Sequence, residues 1–309
     1  MKVALCIPTC RRPVGLARLL RSIETLRLPY GVDPVLVVVD NDPDGSARIA
    51  AEEAATFLGW PLRYRIESRR GVSFVRNTAL DLTLDCELIA FIDDDEAAEG
   101  DWLAELLHAQ RESGAAAVTG PTLPVFCGPG PSWLRTGFDL CRLRPKPGAR
   151  MREFATCNLL LDRRVIEAEG LRFDEELSLI GGEDTLLAFE LDRRGHRIVW
   201  AESALTYEFI PESRMNLRWL LRRWYRTGNT EAVLVMRLRR GAVGRAAGIA
   251  GGIARLGLGT LDLAVALPIC LLGSRGRALR RLYTVARGAG MIAAICGRQH
   301  REYAVVHGG

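Results

Sequence analysis

The first hundred residues alternate short apolar runs with segments of helical periodicity, and this alternation constrains the fold more than any other feature. The apolar runs have the length of buried strands and are residues 3–7, 35–39, 62–66 and 87–92. The segments between them place apolar residues at helical spacing and are residues 12–28, 46–58 and 71–84. Strands and helices that alternate in this way build parallel sheets covered by helices. The sequence therefore predicts an α/β fold with a mainly parallel, doubly wound sheet.

Further elements are predicted downstream of these four units. The additional strands are residues 115–119, 154–161 and 197–201, and the additional helices are residues 163–169 and 183–194. Residues 120–148 are rich in glycine and proline, which is typical of a long loop near a ligand. We expect the sheet domain to occupy residues 1–210.

The last hundred residues differ from the rest in charge. Residues 211–309 contain 17 arginines, no lysine and four acidic residues, a net of +13, whereas residues 1–210 carry −8. An acidic half suits a divalent cation, and an Arg-rich, partly apolar half suits anionic lipid or a phosphorylated ligand. The basic half has helical periodicity and no nucleic-acid-binding motif, so no nucleic-acid partner is expected. We predict that residues 211–309 form a basic, amphipathic to apolar helical region.

One stretch of this region is almost long enough to cross a bilayer. Residues 256–273 are mostly apolar, and a spanning helix needs roughly 20 such residues. Asp262 and Pro268 weaken a span, because a charge at bilayer depth is costly. A helix in the membrane interface, or a re-entrant pair with residues 283–297, fits better, and a buried helical hairpin is the alternative. We expect peripheral or monotopic binding at the cytoplasmic side of the inner (plasma) membrane.

Composition excludes several classes of protein. With 309 residues, 48% hydrophobic and 26% charged, the chain is neither disordered nor a small disulfide scaffold. Its eight cysteines form no CxxC pair and no zinc spacing, so we expect reduced, mostly buried thiols. The first apolar run is too short for a signal peptide. A phosphate-binding loop of nucleoside triphosphatases ends in Gly-Lys, and the only lysines are Lys2 and Lys146.

Three adjacent carboxylates, Asp93–Asp95, follow the predicted strand 87–92. They repel one another, and a bound Mg2+ or Mn2+ would relieve this repulsion by taking oxygen ligands from the triplet and from substrate phosphates. A solvated charged loop is the alternative for this segment alone. In a parallel sheet the triplet, Thr9 and Asp40 would all lie at the carboxyl ends of strands, where ligands bind.

Two other acidic positions have both a structural and a functional interpretation. Asp40 follows the second strand, where it could accept a hydrogen bond from a base N–H or cap the turn that follows. Glu183 and Asp184 begin a predicted helix, whose N-terminus favours negative charge. Asp184 could act as a general base with Glu183 as an orienting acceptor, or both could be capping residues.

Five motifs in this order resemble glycosyltransferase family 2. They are Pro8-Thr9-Cys10-Arg11-Arg12, Val38-Val39-Asp40-Asn41, Gly71-Val72-Ser73-Phe74-Val75-Arg76-Asn77, the triplet segment from Phe91 to Glu96, and Gly182-Glu183-Asp184. The resemblance covers about residues 1–230. Within it, Phe173-Asp174-Glu175 and Glu208-Phe209-Ile210-Pro211 look like the bacterial branch that builds exopolysaccharides and related glycans, which often ends in a membrane-associated segment. It implies the GT-A fold, a nucleotide-diphosphate sugar donor and inversion at the anomeric carbon.

The resemblance also implies roles for individual residues. The implied donor-site residues are Pro8, Thr9 and Arg12 around the nucleotide, Asp40 at the base, Arg76 and Asn77 beside the phosphates, and Asp93 and Asp94 in the triplet. Asp95 is the expected direct ligand of Mn2+ or Mg2+, with Asp93 as the second. Asp184 matches the catalytic base, with Glu183 beside it. The family's preference for uracil implies a UDP-sugar donor.

The acceptor and the helical region match the family less closely. Arg222, Arg223 and Arg226 resemble an Arg-rich helix from which one side chain could reach the donor diphosphate. Residues 121–152 match no motif, so the sequence does not identify the acceptor, expected to be a glycan or a lipid-linked glycan. Trp133 and Phe138 in this stretch could stack on a sugar or fill the edge of the core.

Two other functions compete with sugar transfer. A catalytically inactive, membrane-docked scaffold with the GT-A fold would explain the long basic region, although it would not need Asp40, Asp95 and Asp184 together. A nucleotidyltransferase would also bind a metal–nucleotide complex on an α/β sheet. It would need a glycine-rich loop near the N-terminus, which the segment after the first strand lacks.

Overall fold

The chain forms two compact units in the computed structural model. The structure describes residues 1–140, 142, 145–146, 149–239, 242–271 and 275–304, with the backbone alone for 262–271 and 275–277. Unit 1 comprises Met1–Val125, Arg144–Phe209 and Tyr303–Gly309, and unit 2 comprises Phe126–Leu143 and Ile210–Glu302. Residues 126–143 thus cluster with the helices of unit 2, whereas the sequence predicts that residues 1–210 form one sheet domain.

Strands and helices alternate along the described part of unit 1. The strands are β1 (Lys2–Thr9), β2 (Asp33–Asp40), β3 (Leu62–Ile66), β4 (Leu88–Ile92), β5 (Glu96–Ala98), β6 (Ala117–Thr119), β7 (Thr122–Phe126), β8 (Arg150–Met151), β9 (Asn158–Asp162), β10 (Ile198–Trp200) and β11 (Thr206–Ile210). The helices up to β11 are α1 (Pro13–Glu24), α2 (Arg48–Leu58), α3 (Val72–Asp81), α4 (Trp102–Ser113), α5 (Ser132–Asp139), α6 (Arg163–Ala168) and α7 (Glu183–Arg193), of which α5 belongs to unit 2.

The larger sheet has eight strands in the order β3-β2-β1-β4-β9-β6-β10-β8. Strands β3, β2, β1 and β4 are parallel, which confirms the predicted parallel arrangement of the first four strands. Strand β9 is antiparallel to both of its neighbours, so the second half of the sheet is mixed. A second sheet has the order β5-β11-β7. The α/β fold is therefore as predicted.

The core of unit 1 explains why β1 and β2 are continuous apolar runs. From Val35 to Val39 every side chain is buried, because a central parallel strand is covered on both faces. Helix α1 contributes Leu16, Leu19, Leu20 and Ile23 to the same core. These residues lie three or four positions apart and therefore share one face of the helix.

Three predictions about unit 1 and its thiols differ from the structure. The predicted loop 120–148 contains β7 and α5, and the predicted strand 154–161 begins only at Asn158. Helix α4 was not predicted, although it buries Trp102 in the core. Of the six described cysteines, all free, only Cys6 and Cys86 are buried, so the thiols are not mostly buried. Cys141, and the side chain of Cys270, lie outside the described residues.

Unit 2 is built from α5 and three long helices, which confirms the helical periodicity after Pro211. They are α8 (Leu217–Leu238), α9 (Ala242–Leu271) and α10 (Arg275–Ile295). Helices α9 and α10 form an antiparallel hairpin that is closely packed at glycines: a Cβ on Gly252 would meet Ile292, and one on Gly259 would meet Val285. The side chains of Asp262 and Pro268 lie outside the described residues. Among the described residues, no helix is both long and apolar enough to cross a bilayer.

Candidate functional site

The carboxyl ends of β1 and β4 place the first two motifs side by side. The strands are neighbours in parallel register, with Cys6 opposite Phe91. Thr9 at the end of β1 therefore meets the triplet after β4, and its Oγ1 donates to Asp94 Oδ2 at 2.8 Å. Both side chains are buried. Thr9 and Asp94 thus bind each other, and the nucleotide contacts that the resemblance implies for them stay predictions.

Arg12 links the start of α1 to the same triplet. Its Nη1 donates to Asp94 Oδ1 at 2.9 Å and to Asp95 Oδ2 at 3.2 Å. Burial opposes the charged form of Arg12, but Asp94 and then Asp95 outweigh this effect and raise its pKa. The guanidinium therefore remains a cation beside the triplet, at the edge where a donor diphosphate is expected.

A second arginine connects the triplet to the acidic pair on α7. Arg76 Nη1 forms an ion pair with Glu183 Oε1, and Arg76 Nη2 lies 3.6 Å from Asp93 Oδ1. The side chains of Arg76 and Glu183 are only 5% and 2% exposed. Desolvation raises the pKa of Glu183, and Arg76 opposes that shift. Arg76 Nε and Glu183 Oε2 have no hydrogen-bond partner among the described residues. This buried pair therefore has one donor and one acceptor that make no hydrogen bond there.

The start of α3 is fixed by a residue from a distant loop, and this brings Arg76 to Glu183. Ser178 Oγ accepts from Ser73 N at 3.1 Å and from Phe74 N at 3.3 Å, and its carbonyl accepts from Val72 N at 3.0 Å. Gly71, with a φ of 134°, leaves room for Ser178, which an added Cβ would overlap. Ser178 lies in the loop before α7, so the two helices start from one hydrogen-bonded junction.

Two glycines turn the chain into α7. Gly181 and Gly182 have φ values of 93° and 90°, which side chains other than glycine rarely adopt. After this turn Glu183 points into the protein, whereas Asp184 is half-buried. Asp184 Oδ1 accepts from Thr185 N at 2.7 Å, and the helix N-terminus favours its negative charge. Glu183 is therefore an internal partner of Arg76, whereas Asp184 is an accessible carboxylate.

Asp40 has the capping role that was left open as an alternative. Its carboxylate is fully buried and accepts from Asp42 N at 2.9 Å, Ala47 N at 2.8 Å and Tyr64 Oη at 2.8 Å. These bonds fix the turn between β2 and α2. Both oxygens are bound inside the chain, and the contact between Asp40 and the donor base that the resemblance implies stays a prediction.

Asn77 is likewise internal. It is buried, its Oδ1 accepts from Phe173 N at 2.9 Å, and its Nδ2 donates to Phe173 O at 2.9 Å. This two-bond clamp holds the segment before Ser178 against α3. The structure thus gives Asn77 a role in positioning α3, and its contact with donor phosphates stays a prediction.

Two residues that organise the site were not singled out from the sequence. Asn41 Nδ2 donates to the carbonyls of Glu67 and Arg69, and its Oδ1 accepts from Gly71 N at 3.0 Å. It lies inside a recognised motif and is a residue type common in turns, so its role was available from the sequence. Ser178 gives no such signal, because its partners are over a hundred residues away.

The triplet retains two carboxylates that a divalent cation could use. The side chains of Asp93 and Asp95 are 33% and 25% exposed, whereas Asp94 is 5% exposed and bound internally. Desolvation raises the pKa of Asp93 to about 6, against the opposing effect of Arg76 and with help from Asp95 and Asp94. No group of three metal-binding side chains occurs among the described residues. The residues therefore fit a cation that takes two carboxylates here and its remaining oxygens from a diphosphate or water.

In unit 2 the expected sugar-stacking and phosphate-binding residues have other contacts. Phe138 is buried in the helical core and stacks on Trp219, with ring centroids 5.3 Å apart, so it fills the core. Trp133 is half-buried against the same core. Arg223 lies over the Trp219 ring, and Arg226 pairs with Glu302 at 2.5 Å. Arg222 is exposed.

Sequence comparisons agree with the motifs. The profile described as glycosyl transferase family 2 matches residues 4–166. The succinoglycan biosynthesis protein ExoM of Rhizobium meliloti (strain 1021) is 35% identical over 227 residues, which cover 74% of this chain and 73% of ExoM. The profile match includes the ends of β1, β2 and β4 and the triplet, and it ends before α7.

Solved structures share the fold at lower identity. The mannosyltransferase PcManGT from Pyrobaculum calidifontis, in complex with GDP-Man and Mn2+, is 20% identical with a TM-score of 0.66, covering 96% of this chain and 86% of its own. S. aureus TarS 1-349 in complex with UDP-GlcNAc is 16% identical with a TM-score of 0.53, covering 93% and 90%. This chain spans 43% of a longer TarS chain. The family profile and the ExoM match establish that this chain belongs to glycosyltransferase family 2.

Proposed function

We propose that this protein transfers a sugar from a UDP-sugar to a hydroxyl group of a growing bacterial exopolysaccharide, free or lipid-linked, with inversion at the anomeric carbon. One observation carries the proposal. Arg76 pairs with both Asp93 and Glu183, and these ion pairs connect the exposed part of the triplet to the start of α7, where Asp184 is accessible. A donor-binding edge and a base are thus held by one buried ion pair.

The donor side is proposed from the triplet and from the fold relatives. PcManGT is described with GDP-Man and Mn2+, and TarS with UDP-GlcNAc. In this chain Asp95 and Asp93 would hold Mn2+ or Mg2+, and such a cation neutralises charge on a departing diphosphate. Arg12 adds a fixed positive charge beside Asp95. Removing one well-placed electrostatic group of this kind typically costs about 2.7–4 kcal/mol of barrier.

Asp184 acts as the general base. It accepts the proton of the acceptor hydroxyl while that oxygen forms a bond to the sugar C1 and the bond from C1 to the diphosphate oxygen breaks. A single displacement of this kind inverts the anomeric carbon. Glu183 does not touch the substrates in this mechanism, because it is buried against Arg76 and positions that guanidinium.

The alternatives explain fewer observations. An inactive scaffold would not require a base, an exposed carboxylate pair and a buried arginine linked in one network. A nucleotidyltransferase would lie outside the family to which the chain belongs. Neither alternative accounts for the half-buried Asp184 at the start of α7.

We further propose that unit 2 docks on the cytoplasmic face of an anionic membrane. Helix α9 exposes large apolar side chains over one half of its circumference, each 42–68% exposed: Val243, Ile249, Ile253, Leu258 and Leu261. Its opposite side carries the glycines that pack on α10. An apolar helix face in a strongly basic region is typical of interfacial binding to anionic lipid. Docking there would bring the enzyme to a lipid-linked acceptor.

Calorimetric titration of UDP tests the donor site. We expect binding in the presence of Mn2+, loss of binding with chelator, and loss in Asp95→Asn, with Asp192→Asn on α7 as a matched control that keeps binding. GDP and dTDP are titrated in parallel. If only GDP or dTDP bound, the nucleobase of the proposed donor would be guanine or thymine instead of uracil. If folded protein bound none of the three nucleotides, the proposed function would be contradicted.

A further inference from the structure

The loop that leads into α7 is held by a residue from a remote part of the sequence. Tyr303 belongs to unit 1 by its contacts. Its N–H donates to Leu179 O at 3.2 Å, and its carbonyl accepts from Arg70 Nε at 3.2 Å. The backbone of Tyr303 therefore joins two loops that are more than a hundred residues apart in the sequence.

The Tyr303 ring lies beside Gly181, the first of two consecutive glycines in the loop before α7. A Cβ on Gly181 would be 3.6 Å from Tyr303 Cε2, which is ordinary van der Waals contact. Gly181 and Gly182 are consecutive glycines with positive φ, and glycine has the widest conformational freedom of any residue. Contact with a bulky ring limits that freedom where the chain turns toward Glu183 and Asp184.

The other loop bound by Tyr303 leads to the arginine of the site. Arg70 directly precedes Gly71 and α3, and α3 carries Arg76. Burial lowers the pKa of Arg76, whereas Glu183, Asp93 and then Tyr303 raise it, and the net shift is upward. Arg70 thereby connects the Tyr303 backbone to the start of the helix that carries the buried guanidinium. No other part of the mechanism uses Tyr303.

We propose that Tyr303 is a positioning residue of the transfer reaction, which holds residues 179–181 against the Arg70 loop so that Asp184 stays at the acceptor hydroxyl. The inference rests on the proposed role of Asp184 as the base. Small displacements of a catalytic group, of about 1 Å, can cost on the order of 100-fold in rate. We therefore expect a 10- to 100-fold effect on turnover from loss of the ring.

The test compares Tyr303→Ala and Tyr303→Phe with Tyr30→Ala, which removes a fully exposed tyrosine of the same unit. Turnover is followed as UDP release from UDP-glucose with water as acceptor. We expect Tyr303→Ala to lower kcat with little change in donor KM or UDP affinity, and Tyr303→Phe to restore most of the rate because the ring remains. Tyr30→Ala should behave like the wild type.

Hydrogen exchange provides a readout that does not depend on the donor. Amides of residues 179–184 should exchange faster in Tyr303→Ala than in Tyr30→Ala, while amides of β1 and β4 should not change. Unchanged exchange, or a kcat within about twofold of the wild type, would overturn the proposal. A fall in UDP affinity and thermal stability together would reduce Tyr303 to a structural residue. Absence of UDP release by the wild type would count against the proposed donor, and the exchange comparison would then decide the role of Tyr303.

Discussion

The two units neutralise their charges differently. In unit 1 the site carboxylates have arginine partners within the same unit: Arg12 serves Asp94 and Asp95, and Arg76 serves Glu183 and Asp93. In unit 2 a single carboxylate, Glu231, forms ion pairs with two arginines, Arg255 and Arg287. The region after residue 210 has 17 arginines for four acidic residues. The site carboxylates of unit 1 are therefore neutralised within the unit, whereas unit 2 has a surplus of positive charge.

Glycine shows the same contrast. Gly71, Gly181 and Gly182 have positive φ and let the backbone of unit 1 turn at the site. In unit 2 several glycines of α8, α9 and α10 allow close helix crossings: a Cβ on Gly228 would overlap the carbonyl of Arg287. Substitution in unit 1 would thus disturb catalytic geometry, and substitution in unit 2 would disturb helix packing. The following predictions test whether the two units separate in this way, from the largest effect to the smallest.

The largest effect is expected from Asp184→Asn. Removing a general base typically lowers the rate 10²- to 10⁴-fold, and an amide cannot take up the acceptor proton. UDP binding should stay within about twofold of the wild type, since Asp184 does not touch the nucleotide in our mechanism. Measurement of kcat together with calorimetry of UDP checks both parts.

Glu190→Gln is the matched control, because Glu190 lies on the same helix and its exposed-face ion pair with Arg193 is typical of weak surface bridges. It should leave kcat within about twofold. If Asp184→Asn retained more than a tenth of the activity, another residue would have to be the base.

The next effect concerns stability and distinguishes buried pairs from surface pairs. Glu183→Gln leaves the buried Arg76 without its nearest anion, and breaking one partner of a buried pair typically costs about 3–5 kcal/mol. Urea unfolding should show this loss, while Glu190→Gln should change the free energy of unfolding by less than about 1 kcal/mol. Equal effects of the two variants would mean that the Arg76–Glu183 pair is not the centre of the site.

The fold could be predicted from the sequence more fully than the site. The runs at β1, β2 and β4 are continuous and apolar because these strands are buried on both faces, and that pattern is local in sequence. Helix α5 was missed because its segment combines glycines and prolines that favour loops with an apolar face that packs only in unit 2. Local periodicity does not contain that information.

The site shows more clearly what local sequence patterns do not predict. Asp40, Asp94 and Asn77 lie in recognised motifs, as Asp95 and Asp184 do, yet the first three are bound inside the chain. Residue type and position at a strand end predict that a carboxylate lies near the ligand edge. They do not predict whether another part of the chain already binds that side chain. Ala47 N, seven residues from Asp40, binds its carboxylate, and the backbone of Phe173, nearly a hundred residues from Asn77, binds its amide.

For unit 2 we predict that the exposed face of α9 controls binding to lipid. The double variant Ile253→Ser, Leu258→Ser should lower binding to vesicles containing phosphatidylglycerol by about 10- to 100-fold, because burying each of these side chains contributes on the order of 1.5–3 kcal/mol at full burial. Flotation of the full chain measures the change. UDP affinity should not change.

Ile49→Ser is the control, since Ile49 is an isoleucine of α2 that is more exposed than those of α9. Equal loss in the control would show a general effect of surface hydrophobicity. Vesicles of phosphatidylcholine should bind weakly, because they lack the anionic charge that attracts arginine. Concentration-dependent dimers in solution that disappear in the double variant, without a change in vesicle binding, would assign the face to a second copy of the chain.

The smallest effect is expected at Glu67, which supports the loop before α3. Hydrogen bonds from Arg69, with desolvation opposing and Thr78 assisting, lower the pKa of Glu67 to about 2. An unfolded glutamate titrates near about 4.3. The native state thus gains stability from ionised Glu67 above that pH, and loses it as the pH falls through about 2. Glu67→Gln should cost about 1 kcal/mol at pH 7, and the difference from the wild type should shrink below about pH 4. Glu53→Gln on the exposed side of α2 should show no such dependence, and a constant difference for Glu67→Gln across that range would mean that shape, and not charge, supports the loop.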